Sequence, residues 1–432
     1  MILIKNGRVI DPKSKLDKIM DIIIKDGKIA NLGSFNEDGD YEEVIDAKGL
    51  IVAPGLIDVH VHFRTPGFSY KENFNTGAAA AARGGFTTVV CMANTKPVVD
   101  NKEVFQDIQN QIKKLPINII QAASITMGLK GAQLVEMEEL KATGVLGFTD
   151  DGMALMDEKL AYEAMVMASK LNVPLSFHEE NSSFMKSPGV NQGKVSEAMN
   201  LGGAPALAED IMVARDCILA LNTGAKVNLQ HISSGDSVDI IRIAKNKGAK
   251  VFAEVTPHHF SLTEEAVITQ GVNAKMNPPL RTEEHRQKLI EGLKDNTIEI
   301  IATDHAPHNY MEKNVEFQKA PSGIIGLETS LALGITNLVK PGHLTLMDLI
   351  EKMTTNPAKL YDIPKGTIEV GRDGDLVIID ENQLWKVENF SSKSNNSPFI
   401  GAELYGKVKY TICKGMVVYR DEEGKCFGKN YI

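Results

Sequence analysis

The chain has 432 residues, 43% hydrophobic and 24% charged, enough apolar content for a large core plus a smaller companion unit and too much for a disordered or fibrous chain. A formal net charge of −9, with no dense Lys/Arg stripe interleaved with aromatics, argues against nucleic acid as a partner.

The first residues, Met1-Ile2-Leu3-Ile4-Lys5-Asn6-Gly7, turn polar too soon for the apolar core of a signal peptide. No later stretch approaches a membrane span, so a cytoplasmic location with no membrane partner is expected. Residues 1–54 and 364–432 show short strands with turns expected at Asn6-Gly7, Asp26-Gly27, Arg372-Asp373-Gly374 and Lys414-Gly415. Both ends therefore read as all-β, and together they are expected to form one small β-sandwich.

Between them, residues 55–363 alternate apolar runs with helical patterns. The runs cover 56–63, 87–92, 117–124, 145–149, 174–177, 226–230, 250–255 and 298–302, and the amphipathic or Ala-rich stretches 75–83, 102–113, 157–170, 206–221, 237–247 and 283–293. Such βα units predict a parallel sheet, and eight of them close a (β/α)8 barrel of roughly 250 residues with its active site at the C-terminal strand ends. The polar stretch 391–397 reads as an exposed loop, and 309–319 as a mobile flap over the barrel mouth.

The first barrel run contains Asp58-Val59-His60-Val61-His62-Phe63-Arg64, in which two imidazoles two residues apart on a strand point to one face and can grip one metal ion. On its own this pair also suits a partly buried strand. However, His178, His231 and Asp304 each close a later apolar run, a placement not expected of independent core residues. Cys91, Cys217, Cys413 and Cys426 are scattered with no C-x-x-C spacing, which fits reduced thiols better than a disulfide framework. His258 and His259 are given a packing or loop role.

Residues 58–67 (Asp-Val-His-Val-His-Phe-Arg-Thr-Pro-Gly) and 302–308 (Ala-Thr-Asp-His-Ala-Pro-His) resemble the two signatures of bacterial dihydroorotases, members of the amidohydrolase superfamily. Met92-Ala93-Asn94-Thr95 and Met276-Asn277-Pro278-Pro279 extend the likeness over nearly the whole chain. The resemblance implies a distorted metal-bearing barrel with a small β-sandwich, and reversible closure of N-carbamoyl-L-aspartate to L-dihydroorotate. It implies two zinc ions per subunit, one held by His60, His62 and Asp304 and the other by His178 and His231. Zinc would lower the pKa of a bound water to about 7, although ligand type leaves manganese and cobalt open.

Many superfamily members bridge two ions with a carboxylated lysine at the end of strand four. This chain has Asp150-Asp151-Gly152 there, so Asp151 is expected to bridge, with Asp150 the competing choice and a single ion the simpler alternative. Asp304 is expected to act as base and then acid, and could also cap the helix that follows. Arg64 offers a bidentate fork for a substrate carboxylate. Asn94, Asn277 and His308 match family positions that contact the substrate. The loop Ala320-Pro321-Ser322-Gly323-Ile324 departs from relatives that have Phe-Gly there, so Ser322 and Gly323 are expected to contribute mainly through the backbone. The resemblance leaves room for a homodimer and for a complex with aspartate carbamoyltransferase. Competing readings are a hydantoinase or allantoinase on the same barrel, an inactive scaffold that should have lost ligands, and a metal-storage module that would not need Arg64 and the Asn residues.

Overall fold

Parallel strands covered on both faces draw mostly on apolar residues, and the eight runs of the middle section are of that kind, with single polar residues such as Asp58, Gln121, Asn228 and Glu254 among them. In the computed structural model, which describes residues 1–421, they form barrel strands Leu56–Val61, Phe86–Cys91, Asn118–Gln121, Phe148–Thr149, Leu175–Phe177, Val227–Leu229, Val251–Val255 and Ile300–Ile301. Every residue of the first two is buried. The strands pair in parallel as a group of three and a group of five. Single bridges span the seams, Ala123 to Phe148 and Val61 to His305. At the second seam the His62 N–H donates to the His305 carbonyl at 2.9 Å. The barrel is thus distorted, and its ladder gives way beside the His-x-His motif.

Helices Phe74–Arg83, Lys102–Ile112, Glu158–Leu171, Leu207–Thr223, Gly235–Asn246 and Glu283–Lys294 start and stop within a residue or two of their expected limits. Local capping explains the first of them. The Asn73 side chain accepts from the Asn75 and Thr76 N–H groups, and the alanines that follow, small enough to let helix and sheet approach closely, are mostly buried.

Both chain ends enter one eight-stranded sheet. Strands Ile2–Asp11, Leu16–Lys25, Lys28–Gly33, Glu43–Asp46 and Ile51–Pro54 join Leu376–Lys386, Glu403–Cys413 and Met416–Arg420. The link is antiparallel pairing of Leu376–Lys386 with Ile51–Pro54, in register Leu376 to Pro54 and Ile378 to Val52. A separate apolar core of Ile4, Ile22, Ile24, Val52, Ile378 and Ile412 closes this β-sandwich unit.

Two expectations need correction here. Asn6-Gly7 is not a turn between strands but a bulge inside the strand Ile2–Asp11, where the register shifts between Ile4 and Gly7. Asn6 adopts φ 61° while its N–H donates to Asp21 Oδ1 at 2.9 Å, and a Cβ on Gly7 would meet Val52 Cγ2 at 2.5 Å. The stretch 391–397 is not a wholly exposed loop: Lys393 and Asn395 face solvent, but Ser392, Ser394, Asn396 and Ser397 are buried, the first three because their polar groups find partners in the barrel section. Ser392 Oγ bonds Glu72, and Ser394 Oγ donates to the Lys71 carbonyl.

Within 309–319 a short helix, Tyr310–Lys313, forms, and Lys313 is buried. Cys91, Cys217 and Cys413 are free and buried, while Cys426 lies outside the described residues. Among the described residues no helix is long and apolar enough to cross a membrane.

Candidate active site

The ends of barrel strands one, four, five, six and eight bring His60, His62, Asp151, His178, His231 and Asp304 into direct contact. Asp151 stands between two imidazole pairs. Its Oδ1 lies 3.2 Å from His60 Nε2 and 3.7 Å from both His178 Nδ1 and His231 Nε2, and its Oδ2 lies 3.3 Å from His62 Nε2. Asp304 Oδ1 is 3.0 Å from His62 Nε2 and 3.5 Å from His60 Nε2. Asp150 turns away: its carboxylate accepts from the Ile125 and Thr126 N–H groups at 2.7 and 3.0 Å and from the Thr126 hydroxyl.

Three of the site residues owe their aim to the backbone. Arg64, His231 and Asp304 have φ of 59°, 38° and 47°, in the left-handed region that residues with a Cβ seldom occupy. Each such residue costs on the order of 1–3 kcal/mol. All lie just past strand ends, where the chain must redirect a side chain into the mouth.

A second layer fixes the rings, and most of it is missed by sequence reasoning. Glu254 Oε2 faces His60 Nδ1 at 3.1 Å, Asn94 Oδ1 faces His62 Nδ1 at 3.0 Å, and Glu180 Oε2 faces His178 Nε2 at 3.0 Å. An acceptor oxygen holds the far nitrogen of each ring and so turns the other nitrogen toward Asp151; burial lowers the pKa of His60 and His178, but the facing carboxylates raise both overall, His178 to about 10, so a cation would bind there in place of a proton. Glu254 had a faint signal, a lone carboxylate inside an otherwise apolar run. Glu180 follows His178 by two residues.

These residues suit a metal ion. Two groups, His60–His62–Asp151 and Asp151–His178–His231, share one carboxylate, and the donor atoms within each lie within 4.8 Å of one another. The buried His60 Nε2 makes no hydrogen bond of acceptable geometry, and His178 Nδ1 and His231 Nε2 face each other at 2.9 Å. Neutral imidazole and carboxylate are the donors of a divalent first-row cation. The local field agrees. Burial alone would push the Asp304 carboxyl up, but His60 and His62 hold it below the usual carboxylate range, and Asp151 is held low in the same way by its imidazoles.

Above these groups lies a cavity of about 190 Å³, suited to a single-ring molecule rather than to a large ligand. Arg64, Asn94, Asn277, His308, Ser322 and Gly323 all line it together with Asp151 and Asp304. Arg64 Nε donates to the Pro307 carbonyl at 3.2 Å and its Nη2 lies 3.4 Å from His308 Nε2, which holds the guanidinium at the cavity wall. Asn94 lends its oxygen to His62, and its amide donates to the Asp151 carbonyl at 3.3 Å. Ser322 Oγ donates to Asn277 Oδ1 at 3.0 Å, so the side chain of Ser322 engages the wall and not only its backbone. His308 Nε2 lies 2.9 Å from the Ser322 carbonyl, and burial together with nearby Arg64 and Lys71 pushes its pKa down to about 2. It is therefore a neutral donor through Nε2.

A family model described as dihydro-orotase-like matches residues 49–237. The dihydroorotase of Clostridioides difficile is 62% identical over 419 residues, covering 97% of this chain and 100% of that protein. The chain belongs to the dihydroorotase family. Another family member, the dihydroorotase of Clostridium acetobutylicum, is 52% identical over 424 residues, covering 98% of this chain and 100% of its own length. Among solved structures, the L-hydantoinase of Arthrobacter aurescens superposes with a TM-score of 0.89 at 28% identity, over 99% of this chain and 97% of that one. The fold is thus that of a metal-dependent amidohydrolase, a barrel with a β-sandwich.

The two neighbouring aspartates are expected to separate cleanly on substitution. Asp151→Asn should lower bound metal, read by elemental analysis after gel filtration. Asp150→Asn should leave metal content at the parent level and lower the thermal midpoint, because it weakens a buried hydrogen-bonded anchor worth about 1–3 kcal/mol.

Proposed function

We propose that the protein is a metal-dependent dihydroorotase that interconverts N-carbamoyl-L-aspartate and L-dihydroorotate in pyrimidine (UMP) biosynthesis. The observation that carries this reading is one small cavity in which a guanidinium faces a buried carboxylate pair surrounded by imidazoles. The substrate needs both halves, one to hold its carboxylate and one to open its ring. Zinc is the proposed metal, two ions per subunit, with His60, His62 and Asp304 holding one, His178 and His231 the other, and Asp151 shared. When bound, such ions acidify water and polarise the ring carbonyl.

The chain's own residues supply the rest. Arg64 takes the carboxylate in a two-point grip, the Asn277 amide, its oxygen taken by Ser322, offers its N–H groups to the ring, and His308, bonded through Nε2 to the Ser322 carbonyl, serves as wall. Asp304 accepts the proton of the attacking water as its oxygen adds to the ring carbonyl. It then delivers that proton to the ring nitrogen as the carbon–nitrogen bond breaks, leaving the carbamoyl amide and a new carboxylate. Closure runs the same transfers backwards. Glu254, Asn94 and Glu180 hold the imidazole rings so that the other nitrogen of each is turned toward the proposed ions.

The buried, unpaired thiols suit a reducing compartment, in support of a cytoplasmic location. No proposed role draws on a second chain, so the reading holds equally for a homodimer or an assembly with aspartate carbamoyltransferase. The likeness to a hydantoinase structure favours a second reading, a cyclic amidohydrolase of neutral ureides. Against it, Asp151 takes the place of a carboxylated lysine, and a cation lines the substrate wall.

Chelation should abolish hydrolysis of L-dihydroorotate, and zinc, cobalt or manganese should restore it; full turnover by protein verified as metal-free would overturn the proposal. Asp304→Asn should keep part of the metal and lose about a hundredfold or more in kcat, the scale of lost acid–base chemistry, so a variant within a few-fold of the parent would move the proton elsewhere. Arg64→Lys should raise KM for L-dihydroorotate at unchanged metal content, since a point charge lacks the planar fork. If hydantoin or allantoin were cleaved as fast as dihydroorotate, with all three affected equally by this change, the hydantoinase reading would replace this one.

A further inference from the structure

The substrate wall of the cavity is fixed from outside the barrel. Asn396 lies on the segment between strands Leu376–Lys386 and Glu403–Cys413, far along the chain from every barrel strand, yet it is only 3% exposed. Its Oδ1 accepts the His308 N–H at 3.1 Å, and its Nδ2 donates to the carbonyls of Ala306 and Gly323, each at 3.1 Å. Its own carbonyl accepts the Ile325 N–H at 3.0 Å. One carboxamide thereby uses both its donors and its acceptor to tie the loop after barrel strand eight to the loop that carries Ser322 and Gly323.

The same Gly323 carbonyl receives a second bond. Buried Lys313 Nζ donates to it at 3.1 Å and to the Pro321 carbonyl at 3.0 Å, while the Ser322 carbonyl between them lies 2.9 Å from His308 Nε2. Three successive carbonyls are therefore anchored on the protein side. Gly323 itself has φ +119°, and a Cβ there would meet Ala306 Cβ at 2.7 Å, so the two loops touch with no slack.

We propose that Asn396 is a positioning residue for substrate binding, setting the spacing between the His308 and Gly323 walls so that a segment of the C-terminal region completes the substrate pocket. Lys313 supports it through the shared carbonyl. Binding of a small rigid ring depends on walls held to within about 0.5 Å, and this amide is the bond common to both. The inference rests on the dihydroorotase reading for its choice of substrate.

The test compares Asn396→Ala and Lys313→Met with the parent on L-dihydroorotate, with metal content and thermal midpoint measured alongside. Asn396→Ala should raise KM about tenfold, the factor that one unsatisfied buried hydrogen bond corresponds to, with kcat within about threefold and metal content unchanged. Lys313→Met should raise KM in the same direction, and the double variant by less than the product of the two, because both act on one carbonyl. A folded, metal-loaded Asn396→Ala with the parent KM and a kcat reduced only with the folded fraction would show a merely structural role and overturn the inference. Should that variant fail to fold, Lys313→Met is read by the same criterion. The parent's own turnover reports on the proposed reaction, whereas this inference is read only from the variant-to-parent ratio of KM.

Discussion

Two buried carboxylates, Asp151 and Asp304, share the barrel mouth at a separation bridged by the same imidazole nitrogens, and anions so placed are tolerable only around positive charge. That need organises everything near it. Glu254, Glu180 and Asn94 take up the outward nitrogens of three imidazoles, which turns the other nitrogen of each ring toward the carboxylates to carry a proton or bind a cation, and Arg64 adds a fixed cation on the substrate side. A centre built in this way attracts a divalent ion and a carboxylated ring at neighbouring points, which is the charge pattern that the proposed chemistry asks for.

The scaffold supplies stiffness where the site spends it. Left-handed backbone at Arg64, His231 and Asp304 persists only because the surroundings over-determine it, and each of these residues follows a fully buried strand end. The seam between Val61 and His305 serves the same end. There the ladder reduces to a bridge, and the freed backbone lets strands one and eight tilt their side chains toward a common point.

The barrel was legible because its signal is repetitive: parallel strands buried on both faces draw mostly on apolar residues, and the helices between them show a different period. The imidazoles were legible for a related reason, since each closes such a run. Asp150 and Asp151 could not be told apart, because adjacent residues of one type differ only in which way the chain turns, and the structure decides this through the Ile125 and Thr126 amides. Asn6-Gly7 misled because a bulge and a hairpin turn demand the same φ. The 391–397 stretch misled because polar composition marks exposure only when the partners are water, and here they include Glu72, Lys71, His308 and Gly323, between 73 and 323 residues away in sequence. Glu180 and Glu254 act only through the rings they hold, a relation that exists in space and leaves little trace in a linear pattern.

The pairing of Leu376–Lys386 with Ile51–Pro54 has a consequence for the chain during synthesis. At ribosomal speeds of about 5–20 residues per second, the early strands wait on the order of tens of seconds for the partner that covers Ile51–Pro54. Throughout that interval the barrel can close around its own core, but the sheet offers an open edge to any neighbouring nascent chain. Circular permutation that fuses the two halves of the sheet into one continuous stretch would remove this delay, turning a late, long-range closure into a local one.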